Sequence, residues 1–216
     1  MNQQKISAPR LAPDLPAGDL ADLCDEAFIQ NVHIQAQQIS EQNFSGVYFK
    51  GVQFDHVTFD QINFERFEMQ DVICNHCTFL NSEMIEASFK RVTFIDCKLT
   101  GSNFASAVFN EISLINCKAD YLSLADSRLR RVAFRQTNLS ELDFSEVNWQ
   151  ALSFDECDLS RANFMHTPLK ALDFSHNETS GISYSLDLLR GMIISPQQAL
   201  DLAMALGVTV KDNLED

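Results

Sequence analysis

From Phe44 to Phe174 every fifth residue is apolar, twenty-seven positions in succession without a polar interruption. Fifteen of the 17 phenylalanines lie on this beat. With 45% apolar residues overall, a run of that length has a chance on the order of one in a billion, so this period outranks every other signal in the chain.

A second series runs two residues ahead of the first and prefers small or β-branched side chains, among them Val47, Val52, Val57, Ile62, Cys77, Ser82, Ala87, Val92, Cys97 and Ile112. Two of every five side chains therefore point inward. An α-helix, with its period of 3.6, would smear such a stripe around its surface, whereas a strand alternates with period two. Inward at the first and third residue, then a two-residue corner, is a short strand and a turn. The chain must coil.

The 216 residues suffice for one domain with a large core, built as a repeat array in which each coil buries its neighbour's faces. Each Phe taken from water contributes about 1.5–3 kcal/mol, against an ordering entropy of similar total size. Such a stack needs capped ends, because an open end exposes apolar side chains and unpaired strand edges.

Units such as Ser102-Asn103-Phe104-Ala105-Ser106, Ala162-Asn163-Phe164-Met165-His166 and Cys157-Asp158-Leu159-Ser160-Arg161 resemble the pentapeptide repeat, and the resemblance runs from Ile29 to Tyr184. It implies an all-β solenoid, a right-handed quadrilateral β-helix with four pentapeptides per coil and twenty residues per turn. At ~4.8 Å per stacked coil, about eight coils make a rod roughly 38 Å long.

On this basis residues 1–23 are expected to form an extended N-terminal segment, 24–184 the β-helix, and 185–216 a C-terminal cap with a dimerisation helix. The first segment carries three of the five prolines and no apolar run of secretory or membrane-spanning length, so the expected location is cytoplasmic, with no membrane partner. Glutamines crowd the first coil (Gln35, Gln37, Gln38, Gln42), which is expected to be irregular and to act as the N-terminal cap. Near the other end, Ser195-Pro196-Gln197-Gln198 predicts a helix start with a capping box. Ala199, Leu200, Ala203 and Leu206 form its apolar face, Gly207 ends it, and Val208-Thr209-Val210 could add a terminal strand. Lys211–Asp216 reads as a polar tail.

Cys74-Asn75-His76-Cys77 has half the spacing of a zinc site. Both cysteines, however, fall on inward series, as do all six including Cys24, so buried reduced thiols are expected. All five histidines face outward, with His56 and His76 on adjacent coils. No phosphate loop, nucleophile with base, or paired acid and base is found, so the chain is expected to have no catalytic residue, cofactor or metal, and a filled solenoid offers no concave pocket.

The net charge of −14 argues against direct nucleic-acid binding through a basic surface and for a basic partner. Laid out in rows of twenty, one side carries Glu65, Glu83, Glu86, Asp126, Asp143 and Glu146 against Arg66. The next carries Lys50, Lys90, Arg91, Arg128, Arg130, Arg131 and Lys170 against Glu68, Asp71 and Glu111. A third carries Asp55, Asp96, Asp155, Glu156 and Asp173 against Arg135. Two acidic stripes thus flank a basic one.

The length and the C-terminal Gln198-Ala199 to Val208-Thr209-Val210 stretch resemble the Qnr and MfpA group of pentapeptide repeat proteins. That resemblance implies an end-to-end homodimer through the C-terminal helix and a DNA-mimicking surface that binds DNA gyrase or topoisomerase IV and protects them from quinolones. The loops that project from many Qnr members have no counterpart here, as in MfpA, and the basic band at 87–135 departs from an evenly acidic rod. The alternative is an interaction scaffold with some other partner, met by the basic stripe or the apolar helix; fold does not fix function.

Overall fold

The five-residue beat is drawn out as short parallel strands in the computed structural model, which describes residues 6–211. The first eight are three residues long: β1 (Phe28–Gln30), β2 (His33–Gln35), β3 (Gln38–Ser40), β4 (Asn43–Ser45), β5 (Tyr48–Lys50), β6 (Gln53–Asp55), β7 (Thr58–Asp60) and β8 (Asn63–Glu65). Each is centred on a beat residue, and each of the first four pairs with the strand twenty residues on: Phe28 with Tyr48, His33 with Gln53, Gln38 with Thr58 and Asn43 with Asn63. Four sides make one turn of twenty residues, and about eight turns stack into a parallel β-solenoid.

From Glu68 onward two sides merge. β9 (Glu68–Asn75), β11 (Ser88–Ile95), β12 (Val108–Ile115), β13 (Arg128–Arg135) and β14 (Asn148–Asp155) run across a corner and stack in register, with the short β10 (Thr78–Leu80) on a neighbouring side. Most of the other two sides become type II turns: the amides of Ala87, Ser102 and Ala107 donate to the carbonyls of Met84, Leu99 and Phe104 three residues before. β15 (Asn163–Phe164) and β16 (Ser183–Tyr184) complete the set.

The corners up to Ala171 share one backbone solution. At each fifth position from Glu26 to Ala171 φ is positive, between 46° and 67° where the residue is not glycine. That region costs an L-residue about 1–2 kcal/mol, and a β-branched side chain fits it worst. The corner positions accordingly hold Glu, Asp, Asn, Gln, His, Arg or Gly for the most part, and no Val, Ile or Thr. This signal was legible in the sequence alongside the apolar beat.

The interior is as the beat demands. Of the twenty-seven beat residues all are buried except Trp149, which is only partly so. Phenylalanines stack on their neighbours one turn away, Phe89 on Phe109 at 4.9 Å and Phe134 on Phe154 at 5.0 Å. Where the coil at 114–129 carries Leu and Ala instead of Phe, an apolar gap of about 10 Å³ remains among Phe94, Phe104, Leu114, Leu124 and Phe134.

Polar residues in the second series are satisfied by two devices: Ser82 and Thr137 donate to the carbonyls of Leu80 and Arg135, two residues back, and the others reach the preceding turn. The Ser102 and Ser127 hydroxyls donate to the carbonyls of Phe79 and Phe104, twenty-three residues back, at 2.8 and 3.0 Å. Thr167 donates likewise to Phe144 at 2.7 Å and accepts the Val147 amide at 3.0 Å. Cys97 and Cys117 copy this geometry, their thiols donating to the carbonyls of Cys74 and Phe94. These cysteines therefore act as weak hydroxyl analogues as well as apolar filler, and burial pushes the Cys74 and Cys157 thiols up.

Three expectations need correction. Cys24 is exposed, because the turn that bears it lies at the rod's open end with no coil beneath. The first coil is regular, with strands β1 to β3. Its cap is the preceding segment: Ala17 pairs with His33, Leu20 is buried, and the Gln37 amide accepts from the Leu20 N–H at 2.7 Å and donates to the Gly18 carbonyl at 3.2 Å. Gly18 allows the close approach, since a Cβ there would stand 2.8 Å from Val32. Lastly, residues 208–210 form no strand; the helix cap directs the Val208 amide back into the last helical turn.

Helix α1 (Pro196–Ala205) begins with the expected capping box between Ser195 and Gln198. Gly207, at φ +78°, closes it in a Schellman motif, the Gly207 and Val208 amides donating to Met204 and Ala203. Of the polar tail, residues 212–216 lie outside the described residues, as do residues 1–5 of the N-terminal segment.

Candidate protein-binding sides of the rod

Columns of residues twenty apart define what each side presents. On the acidic side Glu65, Glu83, Glu86, Asp126 and Glu146 are exposed, while Asp143 is half-buried. They are not equivalent. The Asp143 carboxylate accepts the Ser145 amide and hydroxyl and the Asn163 amide, so it serves its own turn. Glu83 accepts from Asn103 at 2.8 Å, and Asp126 from the Ser106 hydroxyl at 3.1 Å. Arg66 is bonded to Glu26 at 2.7 Å, towards the N-terminal end.

Beyond Arg66 that corner column runs Glu86, Ser106, Asp126, Glu146 with no cation. Asp126 and Glu146 sit on successive turns, ~4.8 Å apart along the axis. Stacked like charges destabilise a sheet. Between the two acidic columns runs a strip of Ile85, Ala105 and Ala125, with Ile85 exposed, so a partner meets carboxylates at the margins and a low centre.

The basic side divides into two ladders. In one, the register sets Lys50 against Gln70, Gln70 against Lys90, Lys90 against Asn110, and Asn110 against Arg130. Cations thus recur every second turn, about 9.6 Å apart, with amides between; Lys170 continues the spacing, and Arg128 stands in the column beside it. In the other ladder the signs alternate: Asp71, Arg91, Glu111, Arg131. Arg91 Nη2 lies 2.6 Å from Asp71 Oδ2, and Arg131 Nε lies 2.9 Å from Glu111 Oε1. The side chains of Arg91 and Asp71 are 11% and 8% exposed, so Arg91 and Arg131 belong to neutralised pairs and add little positive potential.

Burial pushes the Asp71 carboxyl up, but hydrogen bonds from Arg91, the Arg10 amide and Gln70 outweigh it and hold it below the usual carboxylate range. Ser7, with Arg131, does the same for Glu111 despite its burial. Residues 7 and 10 therefore lie against this side, which the sequence did not disclose; its one hint was the proline spacing that keeps the segment extended.

On the third side Asp55 gathers the Asn75 amide at 2.8 Å and the His33 ring. The His56 and His76 rings stack at 4.9 Å. Among the described residues no group of three or more His, Cys, Asp or Glu is gathered as a metal site.

The C-terminal end is apolar and uncovered. Helix α1 buries no residue, and Leu200, Met204, Leu206, Val208 and Val210 are between 41% and 57% exposed. Ala199 is exposed and Ala203 half-buried. The helix is tied to the rod chiefly by Gln198, whose amide donates to the carbonyls of Phe174 and Asn177 at 2.9 and 2.8 Å. Among the described residues no helix is long and apolar enough to cross a membrane.

Residues 87–164 match the family model described as pentapeptide repeat region. No curated protein matches the chain. Among solved structures, a trypsin-treated variant of QnrB1, described as a plasmid-mediated fluoroquinolone resistance protein, is 18% identical, covering 86% of this chain and 100% of its own, with a TM-score of 0.32. A second trypsin-treated QnrB1 variant is 20% identical, covering 90% and 96%, at a TM-score of 0.33. HetL from the cyanobacterium Nostoc sp. strain PCC 7120, described as involved in heterocyst differentiation regulation, is 12% identical, covering 78% and 92%, at a TM-score of 0.30. At these scores none of the three bears on the partner of this chain.

Proposed function

We propose that this chain, which carries a pentapeptide repeat region, is a non-enzymatic protein-binding rod whose acidic side stands in for DNA in the basic saddle of a type II topoisomerase, DNA gyrase or topoisomerase IV. The observation that carries this reading is the column Glu86, Asp126, Glu146. All three are exposed, Asp126 and Glu146 stand on successive turns, and the column from Glu86 to Glu146 holds no cation, an arrangement that costs stability and makes sense opposite a cationic partner. B-DNA carries one charge per ~1.7 Å, so a rod of ~38 Å spans roughly 22 phosphates. On this reading the protein acts in the cytoplasm, and quinolone protection follows from competition with DNA for the enzyme.

Dimerisation through helix α1 belongs to the same proposal. Joining two rods end to end would cover Leu200 and Leu206 and double the length of the acidic side. Contiguous exposed apolar surface of this kind marks an interface.

The test titrates the protein into gyrase and topoisomerase IV supercoiling and decatenation assays, with and without ciprofloxacin. Inhibition or drug protection at micromolar protein is expected, weakened at least about tenfold by replacing Glu65, Glu86, Asp126 and Glu146 together with Gln. No effect up to micromolar protein removes the reading. Leu200→Asp with Leu206→Asp should halve the sedimenting mass; an unchanged mass rejects the helix contact.

A second reading, a scaffold for an acidic partner, is favoured by the spacing of Lys50, Lys90, Arg130 and Lys170 on the basic side. It predicts no topoisomerase effect and binding that the four-Gln variant leaves intact.

A further inference from the structure

Residues 6–16 run along the outside of the rod, against the direction in which its coils accumulate. The Pro16 carbonyl accepts the His33 amide at 2.8 Å on the first coil. The Arg10 amide donates to Asp71 Oδ1 at 3.0 Å two turns further along. Ser7 lies beside the Glu111 carboxyl two turns beyond that, where Glu111 Oε2 is buried and accepts no hydrogen bond among the described residues. Ile6, Pro9, Leu11 and Leu15 are half-buried, while Ser7, Ala8 and Arg10 are exposed.

The match between segment and seat is one of length. Two turns of the solenoid advance ~9.6 Å, and three extended residues, from Ser7 to Arg10, advance about 10 Å. The seat is also independent of its occupant. Asp71 is held by Arg91 and Glu111 by Arg131 from the next turn, so both carboxylates keep their positions whether or not a peptide lies on them. The segment has no such support: Pro9, Pro13 and Pro16 keep it extended at low entropy cost, and only a few anchors join it to the coils. A rigid acceptor ladder under a weakly held extended peptide is a binding seat occupied in cis.

We propose that this side of the rod takes an extended, proline-bearing peptide with hydrogen-bond donors three residues apart, and that the chain's own residues 6–16 fill it as an autoinhibitory cover. A partner's segment of that chemistry docks only by displacing the cover. Tethering gives the cover an effective concentration in the millimolar range, so a peptide supplied in trans is excluded until the cover is loosened. The proposal is independent of the topoisomerase reading, which concerns another side.

The test uses the full chain, its Arg10→Pro variant, which lacks the amide that Asp71 accepts, and a fluorescent synthetic peptide with the sequence Ile6–Pro16. In Arg10→Pro, amides of residues 6–16 should exchange at least about tenfold faster with the coils unchanged, and the peptide should bind at least about tenfold tighter than to the unaltered chain. A peptide N-methylated at the Arg10 amide should lose that gain. Unchanged exchange in Arg10→Pro, equal affinity for both proteins, or full binding of the methylated peptide each overturns the proposal.

Discussion

The Trp149 indole N–H donates to the Pro168 carbonyl across 2.7 Å, and at that level the backbone ladder of the two merged sides stops. Among the described residues no backbone hydrogen bond joins Asn148–Asp155 to the coil at 168–175 on these sides. Pro168 has no amide to donate, and the bulky Trp149 on an inward position keeps the turns apart; Phe154 and Phe174 stand 5.9 Å apart, against 5.0 Å for Phe134 and Phe154. The following coils hold on through the other two sides, where Asp158 pairs with Glu178 and Asn163 with Ser183.

This seam should open before the rod unfolds. Amides of residues 149–155 are expected to exchange at least about tenfold faster than those of 109–115 in native-state hydrogen exchange, and acrylamide should quench Trp149, the sole tryptophan, below the global transition. Equal protection of both stretches would show that the seam is closed in solution.

Corner geometry sets the cost of side-chain branching. Gln61 sits at φ +53° and is exposed. Replacing it with Val, whose branched Cβ fits this region worst, should destabilise the rod beyond what Gln already costs, whereas Gly should gain up to about 1 kcal/mol, less what the freer unfolded chain takes back. Denaturant midpoints of the two variants on opposite sides of the parent check this.

Hydroxyls inside the core matter for bonding more than for volume. Thr167→Val conserves shape yet strands the Val147 amide and deprives the Phe144 carbonyl of its donor, so it should destabilise by about 1–3 kcal/mol. Cys97→Ser should cost far less, because the new hydroxyl reaches the same Cys74 carbonyl. Chemical denaturation of the two proteins gives the comparison.

Acid should release the N-terminal segment. Asp71 and Glu111 are both depressed in the folded chain, so their contribution is present above the unfolded carboxylate range, near about 4, and is lost as pH falls through the lower folded values. Arg91 faces Asp71 and Arg131 faces Glu111, and Glu68, Gln70, Tyr48 and Asn110 are further polar neighbours. Exchange of residues 6–16, corrected for its intrinsic pH dependence, should hold steady from pH 7 to 5 and rise below about pH 4; a flat profile to pH 2 would count against the carboxylate anchors.

The sequence alone determined the coil, its interior and its outward columns. Those features repeat with a fixed local period, so one inward pair and one left-handed corner, read at Phe104 or Gln61, describe nearly every other. Ser195, Pro196 and Gln198 announced their helix for the same reason: a cap is built from residues three apart. Only the tertiary structure decided that the first coil is regular and capped by Leu20, that Arg91 and Arg131 are neutralised, that Trp149 and Pro168 open a seam, and that Arg10 lies on Asp71, sixty-one residues away. These contacts join parts of the chain that share no period, and their stability comes from surfaces that exist only after the coils have stacked.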